Sequence, residues 1–170
     1  MLSQLVANLP PVIHASRRSR PTGLLAGTVV RTTEGAIPVE YLLAGDIVLT
    51  RNGPVELRGT STLVGHDIDV VVIEPGAPVS GAVLGQSVTL PADHQVLVRD
   101  WRATILHGQS EMLTPAASLV DDRLVRRETR AKVRLIRLHF DAPQIVWADG
   151  VEVASARTRA PDVTVQRRLH

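Results

Sequence analysis

Apolar positions in this chain recur every second residue over short stretches, or fill short runs outright, and seldom recur at helical spacing. Between Gly23 and Thr50 the pattern predicts a strand (Thr28 to Thr32), a turn at Glu34-Gly35, one helical turn around Pro38 to Leu42, and a second strand (Asp46 to Thr50). The β-branched runs favour extended backbone, and the glycines let the chain reverse between them. In Ala44-Gly45-Asp46 a left-handed glycine would end the helical turn and launch the next strand. Arg51-Asn52-Gly53-Pro54 is a tight-turn signal. After it, Val55 to Leu63 and His66 to Ile73 read as two further strands, the second apolar enough at its end to be buried on both faces.

Glu74-Pro75-Gly76-Ala77-Pro78 closes that strand, and Ser87 to Leu90 and Gln95 to Val98 flank Pro91-Ala92-Asp93-His94. Trp101 and Ile105-Leu106 lead to a turn at His107-Gly108-Gln109, followed by Met112-Leu113. Pro115 to Val120 predicts a short helix with proline in its first turn, ended by Asp121-Asp122. From Lys132 to Phe140 charged and apolar residues alternate, but the apolar register slips by one between Leu135 and Ile136, which predicts a β-bulge there. Ile145-Val146-Trp147 is the last predicted strand and Asp149-Gly150 the last turn. The pattern is that of an all-β domain of short strands with one or two short helical turns.

Composition agrees with this. Hydrophobic residues make up 44% but aromatics only 2%, so the core must be built from Val, Leu, Ile and Ala. The 12 glycines and 11 prolines are spread along the chain, as frequent turns require. At 170 residues there is enough chain for one domain with a sizeable core. Residues 1–22 read as a flexible tail, because Pro10-Pro11 interrupts their most apolar part and the basic cluster Arg17, Arg18, Arg20 follows it. A secretory signal has the opposite order. Residues 157–170 turn polar and basic and read as a frayed end. No apolar run approaches the roughly 20 residues of a membrane span, so the cytoplasm is the default compartment.

Net charge is +2. The bases are almost all arginine, with Lys132 the sole lysine and 17 carboxylates available as partners. That predicts a mixed, ion-paired surface and not a nucleic-acid site, for which aromatic stacking platforms are also nearly absent. Absence of cysteine excludes disulfides, zinc-thiolate sites and cysteine nucleophiles.

Four blocks carry a family resemblance. The first is the opening unit, with Gly27-Thr28, Pro38-Val39-Glu40 and Gly45-Asp46-Ile47-Val48. The second is Leu90-Pro91-Ala92-Asp93-His94-Gln95-Val96-Leu97-Val98, and the third runs from Glu111-Met112-Leu113-Thr114-Pro115-Ala116 to Leu119-Val120-Asp121. The fourth is His139-Phe140-Asp141-Ala142-Pro143-Gln144-Ile145-Val146-Trp147-Ala148-Asp149-Gly150. In this order and spacing they resemble the Hint fold, the self-processing module of Hedgehog proteins and inteins, in its bacterial form. The resemblance implies a Hint-like domain over residues 23–156, in which Thr28, Gly45 and Asp46 serve the fold and not the chemistry.

The chemistry implied by the resemblance needs a cysteine at the first position, whose thiol attacks the preceding carbonyl. It also needs a hydroxyl and a histidine in the second block to activate the bond and protonate the departing amine. Here the first position is Gly23, Pro91 stands at the hydroxyl position, and Pro143 replaces a histidine common in the closing block. Only His94 survives, as a vestigial catalytic group or a loop-holding histidine. Thr22 carries a hydroxyl, one residue out of register. The chain also ends in Leu169-His170 without the asparagine that inteins cyclise, so splicing is not expected. The function implied is a degenerate Hint domain that has lost self-cleavage and persists as a binding or structural module, with an unidentified protein as partner. The alternative is autoprocessing by an N-to-O acyl shift or by water, assisted by His94.

Of the six histidines, His66 with Asp69 and His139 with Asp141 form candidate metal pairs, but no third ligand stands at a recognisable spacing. No serine-hydrolase elbow or phosphate-cradling glycine loop is present, and no cofactor is implied. Arg123, Arg126, Arg127 and Arg130 crowd one stretch, yet in a strand they alternate faces and make a solvated rim.

Overall fold

The computed structural model describes residues 21–155, apart from 80–81, 100–104, 106–107 and 109. The expected tail up to residue 20, the expected C-terminal tail, and Trp101, His107 and Gln109 lie outside the described residues. Two sheets hold most of the chain. The opening unit supplies β1 (Leu24–Leu25), β2 (Val29–Thr32), β3 (Gly35–Pro38), a 3₁₀ turn (Val39–Tyr41) and β4 (Ile47–Thr50). Then come β5 (Gly53–Glu56), β6 (Gly59–Ile73), β7 (Pro78–Val79), β8 (Ala82–Val83), β9 (Val88–Pro91) and β10 (Gln95–Arg99). β11 (Glu111–Pro115), a second 3₁₀ turn (Ala116–Leu119), β12 (Val125–His139), β13 (Ile145–Ala148) and β14 (Val151–Ala154) complete the order. One sheet runs β1-β12-β6-β9; the larger runs β11-β10-β14-β13-β2-β4-β5 with β3 on β2, and β7 pairs β8 apart from both.

The opening unit folds as its pattern predicts, with β3 added as a return strand on β2. Pro38 precedes the 3₁₀ turn, and Gly45 sits at φ +97° where the chain turns into β4. Asp46 holds that turn: its carboxylate accepts the Leu43 N–H at 2.8 Å, its own N–H donates to the Leu43 carbonyl at 3.1 Å, and its carbonyl accepts the Leu57 N–H at 2.8 Å. Buried Thr28 acts through its backbone, its carbonyl accepting the Val39 N–H at 2.8 Å. Asp46→Ala removes one acceptor, worth about 1 kcal/mol, and is expected to lower the melting temperature by about 2–4 °C for a domain of this size. Calorimetry checks this, and a smaller fall counts against it.

The two strands expected from Val55 to Leu63 and from His66 to Ile73 are instead the short β5 and the 15-residue β6. β6 pairs antiparallel with the equally long β12, from Val125 opposite Ile73 to His139 opposite Gly59. That pairing never shifts, so the bulge expected between Leu135 and Ile136 is absent. The apparent slip is a change of buried face. Leu135 and Ile136 are neighbours on opposite faces of β12, and both are buried. Ile136 joins the main core with Leu138 and Phe140, whereas Leu135 lies outside it. The end of β6 behaves as expected, with Val70 to Ile73 buried without a break.

The core is aliphatic, built from residues such as Val30, Val48, Leu57, Val71, Leu90, Val96 and Val153, with Phe140 its one aromatic member among the described residues. Outside it the charges pair. Arg126 contacts Glu74 and Glu128, Arg127 contacts Asp69, and Arg130 contacts Glu128. Three of the four expected rim arginines, Arg126, Arg127 and Arg130, are therefore ion-paired, on both faces of β12.

Candidate functional site

Gly23 opens the described domain beside β12, through which β1 is held by Leu24 opposite Ile136 and Leu25 opposite Leu135. The position is buried and its φ is +135°. A Cβ there would lie 3.1 Å from the Ile136 carbonyl oxygen, 3.3 Å from Arg137 Cγ and 3.3 Å from Leu135 Cβ. The backbone angle and the surroundings both favour a residue with no side chain.

His94 faces this position from the loop between β9 and β10. Pro91 ends β9, an edge strand where a missing N–H is tolerated, and its carbonyl accepts the His94 N–H at 3.0 Å to close the turn. The His94 carbonyl accepts the Ala116 N–H, and the Ala92 carbonyl accepts the Ala117 N–H, each at 2.9 Å. The second 3₁₀ turn thus fixes the loop. The imidazole is 3% exposed. Its Nδ1 accepts the Gly23 N–H at 3.2 Å, and its Nε2 lies 3.0 Å from the Ala154 carbonyl. Those two partners assign a neutral ring with the proton on Nε2. Burial pushes its pKa down to about 4, and the Ala154 carbonyl offsets part of that.

The carbonyl of the same peptide has its own donor. Arg137 Nε–H donates to the Thr22 oxygen at 3.0 Å. The Thr22–Gly23 peptide is therefore held at both ends, imidazole on its nitrogen and guanidinium on its oxygen. Beside it lies a cleft lined by Gly23, His94, Arg137, Val146, Ala154 and Ser155, with room for roughly one water molecule. Ser155 seals one side, its Oγ accepting the Gln144 N–H at 2.9 Å.

Of the sequence-predicted residues, Gly23, Thr22 and His94 come together, and Pro91 shapes the loop that carries His94. A Thr22 hydroxyl nucleophile would attack the Pro21 carbonyl, whereas His94 and Arg137 both address the next peptide bond. Thr28, Gly45 and Asp46 belong to the opening unit and are not among the residues lining the cleft. Exposed Pro143 lies in the turn after β12 and does not line it either. Arg137 was not singled out by sequence reasoning. The signal was present: a charge between Ile136 and Leu138, both of which point to the core.

The candidate metal pairs are divided among other partners. His139 Nε2 lies 2.7 Å from Ser61 Oγ, Asp141 pairs with Arg58, and Asp69 with Arg127 and Thr129. A second charged group lies at the β10–β11–β14 edge, where buried Glu152 meets Arg99 at 2.9 Å and Arg51 at 3.4 Å. Both arginines also hold Glu111, whose carboxyl they lower to about 2. This network ties the β4–β5 turn to the closing hairpin.

A family model for the Hint domain matches residues 22–160. The fold is similar to a DnaB intein from Synechocystis sp. PCC 6803, with a TM-score of 0.54, 9% identity, and 80% of this chain and 99% of that one covered. It is similar also to a splice-inactive variant of the AceL NrdHF class 3 split intein (TM-score 0.53, 12% identity, 79% and 97% covered). The bacterial intein-like domain from Clostridium thermocellum gives a TM-score of 0.51 at 19% identity, with 79% and 98% covered. No curated protein matches. At such identities the structural likeness is one of fold.

Proposed function

The chain belongs to the Hint-domain family, and from that premise we propose that it is a member that holds its processing bond without cutting it and serves as a binding or structural module. The observation that carries this reading is the build of position 23. Where the family's chemistry needs a nucleophilic side chain, this chain has a glycine at φ +135° with backbone and side-chain atoms crowding the place of a Cβ. The place of a Cβ is tight enough that its neighbours would have to give by a few tenths of an ångström. His94 supports the same reading. Neutral at pH 7, it accepts from the Gly23 nitrogen and so is not charged to donate to it.

Autoprocessing is the competing reading, favoured by the two groups that address the Thr22–Gly23 peptide and by the water-sized cleft next to it. Intact mass spectrometry of purified chain over several days at neutral pH, with and without dithiothreitol, separates the two. The expected result is one species of 18.4 kDa. Release of a fragment ending at Thr22 would overturn the non-cleaving reading. On the same premise the partner is a protein, a reading supported by Arg51, Arg58, Arg126 and Arg127, each of which is taken up by a carboxylate among the described residues.

A further inference from the structure

Arg137 differs from three other arginines of β12. Arg126, Arg127 and Arg130 each lie within 4 Å of a carboxylate, whereas among the described residues none lies that close to Arg137. Its Nε–H goes instead to the Thr22 carbonyl oxygen at 3.0 Å, in a part-buried place. Its Cγ is 3.3 Å from where a side chain at position 23 would begin. A cation on a carbonyl oxygen stands where negative charge would develop if that carbonyl were attacked, the arrangement of an oxyanion-stabilising donor.

We propose that Arg137 is the carbonyl-polarising donor of this site, holding the Thr22 oxygen and stabilising the oxyanion that attack on that carbonyl would create, while its stem fills the space beside Gly23. This rests on reading Thr22–Gly23 as the bond around which the site is built. With a thiol restored at position 23, the sulfur bonds to the Thr22 carbonyl carbon and the carbonyl electron pair moves to the oxygen beside Arg137. As the pair returns, the carbon–nitrogen bond breaks. The thiol proton passes through His94 Nδ1 to the departing nitrogen, leaving a thioester and a free amine with no change of oxidation state.

The test compares thiol-induced cleavage of the Gly23→Cys/Pro91→Ser chain, in dithiothreitol and read by intact mass, with Arg137 kept or changed to Met or Lys. Arg137→Met keeps the stem and should slow cleavage by about 100-fold or more, and Arg137→Lys should restore part of it. Equal rates would overturn the proposal. If the doubly substituted chain does not cleave, the carbonyl ¹³C resonance of Thr22 in the otherwise native chain decides. Arg137→Met should move it upfield and Arg137→Lys should return it part of the way, and an unmoved resonance overturns the proposal. If the native chain itself cleaves, the non-cleaving reading fails, and the effect of Arg137→Met on that cleavage tests Arg137 separately.

Discussion

Acidification from pH 6.5 to 4 is expected to remove about 3 kcal/mol of folding stability through His94 alone. The unfolded imidazole titrates near 6.5, whereas burial pushes the folded one down to about 4. Each pH unit between the two is worth about 1.4 kcal/mol. The sign follows from which state binds the proton. Below 6.5 the unfolded chain takes up a proton that the folded chain refuses, so the balance moves toward unfolding until the folded ring titrates as well. Protonation would also remove the acceptor that Nδ1 offers to the Gly23 N–H. Glu111, lowered to about 2 by Arg51 and Arg99, acts in a lower window that begins near the ordinary carboxylate range. Between pH 6.5 and 5, His94 should therefore dominate. Urea midpoints measured over that range should fall for the native chain and stay nearly flat for His94→Gln, whose stability at pH 7 is lower from the start. Parallel curves would show that His94 is not the group responsible. Against a total stability of about 5–15 kcal/mol, the effect is large enough to read without ambiguity.

Local patterns in the sequence carried the elements whose pairing is local. Strand β2 with the turn after it, the turn at Gly45-Asp46 and the Asn52-Gly53 turn each depend on residues within a few positions. Turn chemistry and alternation therefore locate them. The long β6–β12 ribbon was misread for a physical reason. Its two halves are buried on different faces, so the alternation that marks a strand changes phase without any change in pairing. The same change of phase hid Arg137, which looked like one more polar residue in a slipped register. His94, in contrast, was legible through its block, and its loop residues lie close in sequence. What could not be read was the third dimension of the site. That Arg137 reaches the Thr22 oxygen depends on β1 lying along β12, a contact between residues 115 positions apart. That Gly23 is crowded depends on the same pairing.

Gly23→Ala is expected to destabilise the fold by about 1–3 kcal/mol through backbone strain alone, with the crowded Cβ adding to that. At about 2–4 °C per kcal/mol for a domain of this size, the melting temperature should fall by several degrees. Gly27→Ala is the matched control. Gly27 also has a positive φ, +94°, but a Cβ there meets nothing within 4 Å. It should show the backbone cost without the crowding, so the difference between the two variants measures how far Ile136, Leu135 and Arg137 must give way. The outcome bears on chemistry. Gly23→Cys carries the same Cβ, so a thiol restored there arrives with the β1–β12 contact strained against Ile136, Leu135 and the Arg137 stem. Its proton acceptor, His94, faces the peptide nitrogen only while Gly23 keeps its place. Groups that act as a unit are not recovered one at a time. Gly23→Cys alone should therefore cleave slowly or not at all over days in dithiothreitol, and adding Pro91→Ser should speed it only if the turn that carries His94 survives. Rapid release of the fragment ending at Thr22 from Gly23→Cys alone, together with an unchanged melting temperature, would mean that the backbone at position 23 relaxes freely and that the glycine, not the surroundings built around it, is all that keeps the bond whole.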